Sequence, residues 1–211
     1  KMAKEISDFM DITPDKQRMD SLMVAANIRN LSLLELFYTC VSNLCKIMNE
    51  RGTKIPDEQH HYIEKDDYNK CIYHKRDMDA TERNVVVMKD ADILIKICDS
   101  TGDFDDTSEY QLLIRLLKEH TIIDDDGSRR LRQKEEVENP SEVLLNPSDP
   151  EATFRYKAGG KHLGYVGNIV ESVGENGSLI IDYDYQPNTY ADNQFMKDYL
   201  KRKKRFFRWF L

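Results

Sequence analysis

Two runs rich in Val, Ile and Tyr, residues 162–173 and 178–185, stand either side of Gly174-Glu175-Asn176-Gly177. An Asn-Gly pair between two β-forming runs is a strong local signal for an antiparallel hairpin, because the tight turn needs residues at ease with positive φ. That hairpin commits the last part of the chain to sheet. The part before it follows a helical period. Between them, Asp124-Asp125-Asp126-Gly127 opens a turn, a charged run follows, and Asn139-Pro140 and Asn146-Pro147-Ser148-Asp149-Pro150 break any regular pattern. Residues 124–150 therefore read as a linker or long loop between a helical first part and a strand-rich last part.

The helical part has clear punctuation. Ser32 and Glu35 make a capping box, Leu33, Leu36, Phe37, Cys40, Val41, Leu44 and Met48 recur at helical spacing, and Gly52 lies just past the end. Residues 57–74 are polar and His-containing and read as a short helix with exposed flanks. Residues 80–98 read as an amphipathic helix with Val86, Ile93, Leu94 and Ile97 inward. Thr107 or Ser108 caps a further helix, with Tyr110, Leu113, Ile114 and Leu117 facing the core. Residues 17–26 read as a short buried strand carrying Asp20, although periodicity alone also allows a helix start. Residues 153–157 are short and mixed, and 190–200 look helical with Phe195, Met196 and Leu200 on one side.

The 211 residues are 40% hydrophobic and 33% charged, with a formal net charge of -7. No stretch approaches the length of apolar chain that spans a bilayer. No apolar signal core follows Lys1-Met2-Ala3-Lys4, and an opening on Lys leaves room for a natural start upstream. Without a C-x-x-C pair or an export signal, Cys40, Cys45, Cys71 and Cys98 read as reduced, mostly buried thiols of a cytoplasmic protein. The charge is uneven. Residues 201–211 hold six basic residues and no acid; removing those six from the 31 Lys and Arg leaves 25 against 38 acids, or -13, over residues 1–200. So acidic a body restricts any nucleic-acid contact to a local patch.

Several acids and histidines invite a chemical reading and have a plainer one. Asp149 before Pro150 reads as a turn former, and Asp192 as an acid at a helix N-terminus. His60, His61, Cys71 and His74 can be drawn as a zinc site, but their spacing matches no usual finger, so no zinc is expected. Asp99, Thr101, Asp103 and Asp105 alternate like a calcium loop, yet Phe104 stands where such a loop needs Gly. The tail 201–211 reads as a frayed extension of the last helix, with phosphate or membrane contact as its other reading.

Three stretches resemble the DDE transposases of bacterial insertion sequences. The first is Arg18-Met19-Asp20-Ser21-Leu22-Met23-Val24-Ala25-Ala26-Asn27. The second is Thr101-Gly102-Asp103-Phe104-Asp105-Asp106-Thr107, leading into Tyr110-Gln111-Leu112-Leu113. The third and most specific runs from Asn146-Pro147-Ser148-Asp149-Pro150-Glu151-Ala152-Thr153-Phe154-Arg155-Tyr156-Lys157 through His162-Leu163-Gly164-Tyr165 to Asn188-Thr189-Tyr190-Ala191-Asp192.

The resemblance covers roughly residues 1–200. It implies an α+β chain with a partial RNase H-like fold: a first strand plus an antiparallel hairpin, with a large helical insertion. On that reading residues 1–30 start the catalytic core, 31–123 form the helical insertion, 124–150 link, 151–200 return as hairpin strands and helix, and 201–211 are an aberrant basic tail.

The implied chemistry is DNA transposition by metal-dependent phosphodiester cleavage and strand transfer. In it two Mg²⁺ or Mn²⁺ ions hold the attacking and leaving oxygens. The resemblance makes Asp20 the first catalytic, metal-binding carboxylate, and it gives Arg155, Lys157, Lys161 and His162 to DNA. The second and third acids would follow the helix at 190–200. The basic tail stands there instead, so the chain is expected to be truncated and inactive alone. A sheet cut at that point is expected to self-associate. The partners implied are DNA carrying the element's ends and an intact transposase. The other reading is a non-catalytic DNA-binding or dimerising regulator of such an enzyme.

Overall fold

The structure is a computed structural model describing residues 2–12, 16–74, 79–157 and 159–208; the side chains of residues 2–4, 7 and 204–208 are not part of the description. In chain order the elements are α1 (Met2–Phe9), β1 (Gln17–Ala25), α2 (Leu33–Glu50), a 3-10 segment (Asp57–Ile63), α3 (Asp67–Asn69) and a π turn (Lys70–His74). Then come α4 (Ala80–Thr101), α5 (Ser108–His120), β2 (Thr121–Ile123), β3 (Arg129–Leu131), β4 (Thr153–Lys157), β5 (Gly160–Gly174), β6 (Gly177–Pro187) and α6 (Asp192–Arg208). Helix outweighs strand and every strand pair is antiparallel, which makes the class α+β. The chain divides into two compact units, residues 1–27 with 152–211, and residues 28–151.

The first unit is built around β5. One edge of this 15-residue strand pairs with β1 over Gln17↔Ser172 to Ala25↔Gly164. The other edge takes β4 up to Thr153↔Gly164, and β6 from Tyr165↔Pro187 to Gly174↔Gly177. Gly164 thus faces Ala25 on one side and Thr153 on the other. Its φ is +133°, and a Cβ there would come within 2.4 Å of Ala26 N and Val24 O, so no side chain fits. The hairpin forms where expected, but its two turn residues are Glu175 and Asn176, closed by the Gly174↔Gly177 pair; the positive φ, +149°, falls on Gly177, the first residue of β6. β1 departs from the expectation of a buried strand: exposure alternates along it, because one sheet face is packed and the other is open.

On the packed face Val166, Val170 and Phe195 are buried. The Tyr199 hydroxyl of α6 donates to Gln17 Oε1 at 2.9 Å, and Arg202 spans Asp182 (2.8 Å) and Asp184 (2.7 Å) of β6. Phe195 is the inward residue of α6 as its spacing predicts, but Met196 and Leu200 are exposed. The residues that turn inward with Phe195 are the amphipathic Tyr199 and Arg202, one helical turn apart. Most of the basic tail, residues 204–211, lies outside the described side chains.

The second unit is a helical core. Ser32 and Glu35 form the expected capping box, and Phe37, Val41, Leu44, Cys45 and Met48 of α2 are fully buried. Asp79 and Glu82 cap α4 in the same way, and Thr107 caps α5. The inward face of α4 differs from the one expected. Leu94 is buried and Ile97 packs partly buried against the core as expected, but Val86 and Ile93 are 41% and 38% exposed, and Val87, Met88, Ala91 and Cys98 take the inward places. The buried stripe also includes Asp90, whose carboxylate accepts Gln59 Nε2 and the Tyr62 hydroxyl, each at 2.7 Å. A satisfied acid on the core face hides that face from a reading of hydrophobic period.

Residues 57–74 are a succession of short 3-10, α and π pieces rather than one helix. Residues 124–150 hold more than a connecting loop. The turn at 124–127 joins β2 to β3, Arg129 of β3 pairs with Asp92 of α4, and Leu144 is fully buried. Arg115 of α5 donates to Glu142 O and Pro150 O, and Glu119 accepts the Leu144 N–H at 2.6 Å. A stretch with so few apolar residues gives little hydrophobic sign of being packed; backbone hydrogen bonds to side chains of α5 hold it.

Candidate functional site

Asp20 is carried by β1 at the register Asp20↔Ile169, and Ile169 pairs onward with Tyr183 of β6. Its side chain stands on the open face with Arg18 and Leu22 of its own strand. Alternation of side chains along a strand requires this grouping. The Asp20 carboxylate accepts the Ser21 N–H at 2.9 Å. On the opposite, packed face Asn168 donates through Nδ2 to Asp20 O at 3.2 Å and Ser21 Oγ at 2.9 Å, which pins the backbone of β1 at this point.

The other acids of this sheet are already engaged. Glu171, cross-strand from Arg18, forms an ion pair with it. Asp182 and Asp184 hold Arg202 on the packed face. Among the described residues no group of three metal-ligating side chains includes Asp20. One exposed carboxylate with a neighbouring acid neutralised by arginine does not make a two-metal centre by itself. Asp149 lies in a turn of the helical unit, its N–H donating to Asn146 O, and Asp192 opens α6 as an acid of the first turn.

Beyond the Arg18–Glu171 ion pair, the open face around Asp20 is apolar and aromatic. Tyr165 and Tyr185 stack at 4.7 Å between centroids, and Tyr183 is 78% exposed. At the far end of β5 the β4–β5 hairpin gathers the basic residues expected to meet DNA. Arg155 pairs with His162, and Tyr156 with Lys161, so Arg155, Lys157 and His162 alternate with Phe154, Tyr156 and Lys161 across the two faces. Lys161 Nζ lies 4.1 Å over the Phe154 ring, and His162 Nε2 is 3.2 Å from Lys157 O. Tyr156 is 71% exposed beside these cations. The result is a basic and aromatic hairpin end, exposed at Tyr156, Lys157, Lys161 and His162, on a chain whose net charge is negative.

A second constellation lies in the helical unit. His61, Asp67 and Cys71 each offer one ligand atom, and these atoms lie within 4.8 Å of one another. His61 Nδ1 is 2.7 Å from Asp67 Oδ2, and Cys71 Sγ is 3.4 Å from the same oxygen. The Tyr38 hydroxyl donates to that oxygen at 2.5 Å. Burial acts to raise the Asp67 carboxyl, and these donors outweigh it and hold its pKa below the ordinary value. In the sequence His60, His61, Cys71 and His74 can be drawn as a zinc site only against their spacing, which matches no usual finger. The folded chain keeps His61 and Cys71, leaves out His60 and His74, and adds Asp67. The signal for Asp67 was its spacing, four residues before Cys71, which is one helical turn. The rejected calcium loop is absent as such: Asp99 and Thr101 belong to α4, and Phe104 is fully buried.

No family model, no curated protein and no solved structure matches this chain.

Proposed function

We propose that this chain is related to the RNase H-like DNA transposases of the DDE type, with Asp20 descended from their first metal-binding carboxylate. The observation that supports the reading is the ladder β1–β5–β6. An acid in the middle of the first strand lies antiparallel to a long second strand, which pairs in turn with a third. Asp20 and its cross-strand neighbour Ile169 are separated by the whole helical unit. A closed loop of that length costs little more entropy than a short one. That makes a core split by a large insertion physically reasonable.

On this reading the residues described here bind DNA without cutting it. Asp20 alone offers no second and third carboxylate, so no step through Mg²⁺ or Mn²⁺ is assigned to it. The β4–β5 tip supports the second reading, a non-catalytic DNA-binding regulator. Set into a groove, the hairpin would turn Arg155 and Lys157 of one face toward one phosphate strand, and Lys161 of the other face toward the second, with the exposed Tyr156 ring beside Lys161 to stack on a base.

One experiment tests both. The chain and its Asp20→Asn variant are incubated with DNA carrying the element's ends, with Mg²⁺ or Mn²⁺, and binding and nicking are measured together. Asp20 is exposed, so the substitution is expected to shift stability by no more than about 0.5 kcal/mol. Binding without nicking in both proteins is the expected result. Replacing Arg155, Lys157 and Lys161 by Ala should then weaken binding and lower its salt slope by roughly 2–3. Nicking that disappears with Asp20→Asn would keep the transposase reading and show that other acids of this chain complete the site with Asp20. Absence of both binding and nicking would remove the DNA reading altogether.

A further inference from the structure

We propose that His61, Asp67 and Cys71 form a zinc site with a fourth position open to the adjoining pocket. Three short, unlike elements deliver the three side chains: the 3-10 segment, α3 and the π turn. Single π turns inside helical segments recur at functional sites, because they re-aim side chains that a regular helix would point elsewhere. Here the π turn begins directly after α3 and carries Cys71 one turn beyond Asp67. Arg83 of α4 holds it there, donating through Nη1 to Cys71 O at 3.2 Å and Ile72 O at 2.9 Å.

The donor set is one imidazole nitrogen, one carboxylate oxygen and one sulfur. That mixture suits Zn²⁺ better than Mg²⁺ or Ca²⁺, which take oxygen ligands. Zinc bond lengths put the ligand atoms of a tetrahedral site roughly 3.3–3.8 Å apart. The Cys71–Asp67 separations of 3.4 and 3.5 Å already match. The His61–Asp67 separation of 2.7 Å has to open by about 0.6 Å, a small rotation of an imidazole whose side chain is 35% exposed. Asp67 is 5% exposed, so its charge is held in the core, where a partner cation gains most.

Tyr38 donates to Asp67 and would remain as the outer hydrogen bond that orients this ligand. A small pocket of about 40 Å³, walled by Leu34, Ile72, Val86 and Val87, opens beside His61 and Cys71. Three protein ligands and an open fourth position are the arrangement that leaves room for water or a small ligand on zinc. On binding, zinc replaces the Cys71 thiol proton, which leaves to solvent. It takes the Nδ1 lone pair of neutral His61, whose ring proton then sits on Nε2.

The test uses the full chain, freed of metal with a chelator and titrated with Co²⁺, then with Zn²⁺. One equivalent of Co²⁺ should produce a thiolate-to-metal charge-transfer absorption, and Zn²⁺ should abolish it. Cys71→Ser and His61→Ala should each lose that absorption while keeping a cooperative thermal transition; His61→Ala serves if the cysteine variant does not fold. Tyr38→Phe should retain the absorption and bind at least about 10-fold more weakly. Wild-type protein that shows no such absorption would overturn the site and leave Asp67 as a buried acid satisfied by hydrogen bonds alone. So would variants whose spectra match the wild type.

Discussion

Glu35 shows how a single carboxylate of this chain is tied to its surroundings. It receives the Ser32 N–H at 2.8 Å as part of the cap, the Tyr68 hydroxyl at 2.8 Å and the Tyr73 hydroxyl at 3.0 Å, and it forms an ion pair with Arg29. Burial alone would raise its carboxyl; the hydrogen bonds outweigh burial and hold it down at about 2. A carboxylate depressed on folding stabilises above its unfolded pKa of about 4.3 and loses that contribution as pH falls toward the folded value. Glu35→Gln is expected to cost about 1–3 kcal/mol at neutral pH. The gap between wild type and variant should close between about pH 4.3 and pH 2. Denaturant melts across that range check it; a gap independent of pH would mean that the neutral amide loses packing and not charge. The capping half of this arrangement was legible in Ser32 and Glu35. The two tyrosines were not, because they come from residues more than thirty positions away.

At the scale of elements, β5 decides the sheet, and Gly164 decides where β5 meets its neighbours. The strand has partners on both edges at that residue, and backbone atoms of residues 24–26 occupy the place of a side chain. Gly164→Ala therefore has to push β1 away rather than rotate a side chain aside. We expect it to cost at least about 2 kcal/mol and to raise hydrogen exchange along β1. Unchanged exchange at residues 17–25 would show that the ladder tolerates the displacement. The hairpin itself was legible, since the run Gly174 to Gly177 between two β-forming segments marks a turn locally, although the turn residues proved to be Glu175 and Asn176. The inward face of α4 was not. Its periodicity is blurred by Val85, Val86 and Val87 in a row, and the partners of Asp90, Gln59 and Tyr62, lie on a different element.

For the molecule as a whole, the two compact units carry separate cores. The large core, from Leu34 on α2 to Leu144, lies entirely within residues 28–151. A fully buried Leu or Phe contributes on the order of 2 kcal/mol. The helical unit therefore has apolar burial enough to fold alone. We expect a protein made of residues 28–151 to be helical and to melt in one cooperative transition, measured by circular dichroism. A broad transition without a baseline would show that it depends on the sheet unit. The sheet unit, whose buried apolar residues among those described are Ile12, Ala152, Val166, Val170 and Phe195, has much less to draw on there.

What the sequence determined by itself was local: the caps at Ser32 and Thr107, the place of the hairpin turn at 174–177, the strand character of 162–185, and the place of the basic residues along 155–162. Each rests on residues within a few positions of one another, where hydrogen-bond geometry and side-chain period act directly. Only the tertiary structure decided which strand β1 joins, that residues 124–150 pack as part of the helical unit, and that His61 and Cys71 meet Asp67. Those outcomes depend on loop closure and on burying polar groups with partners supplied from elsewhere in the fold. Neither the period nor the spacing of a single segment encodes such partners.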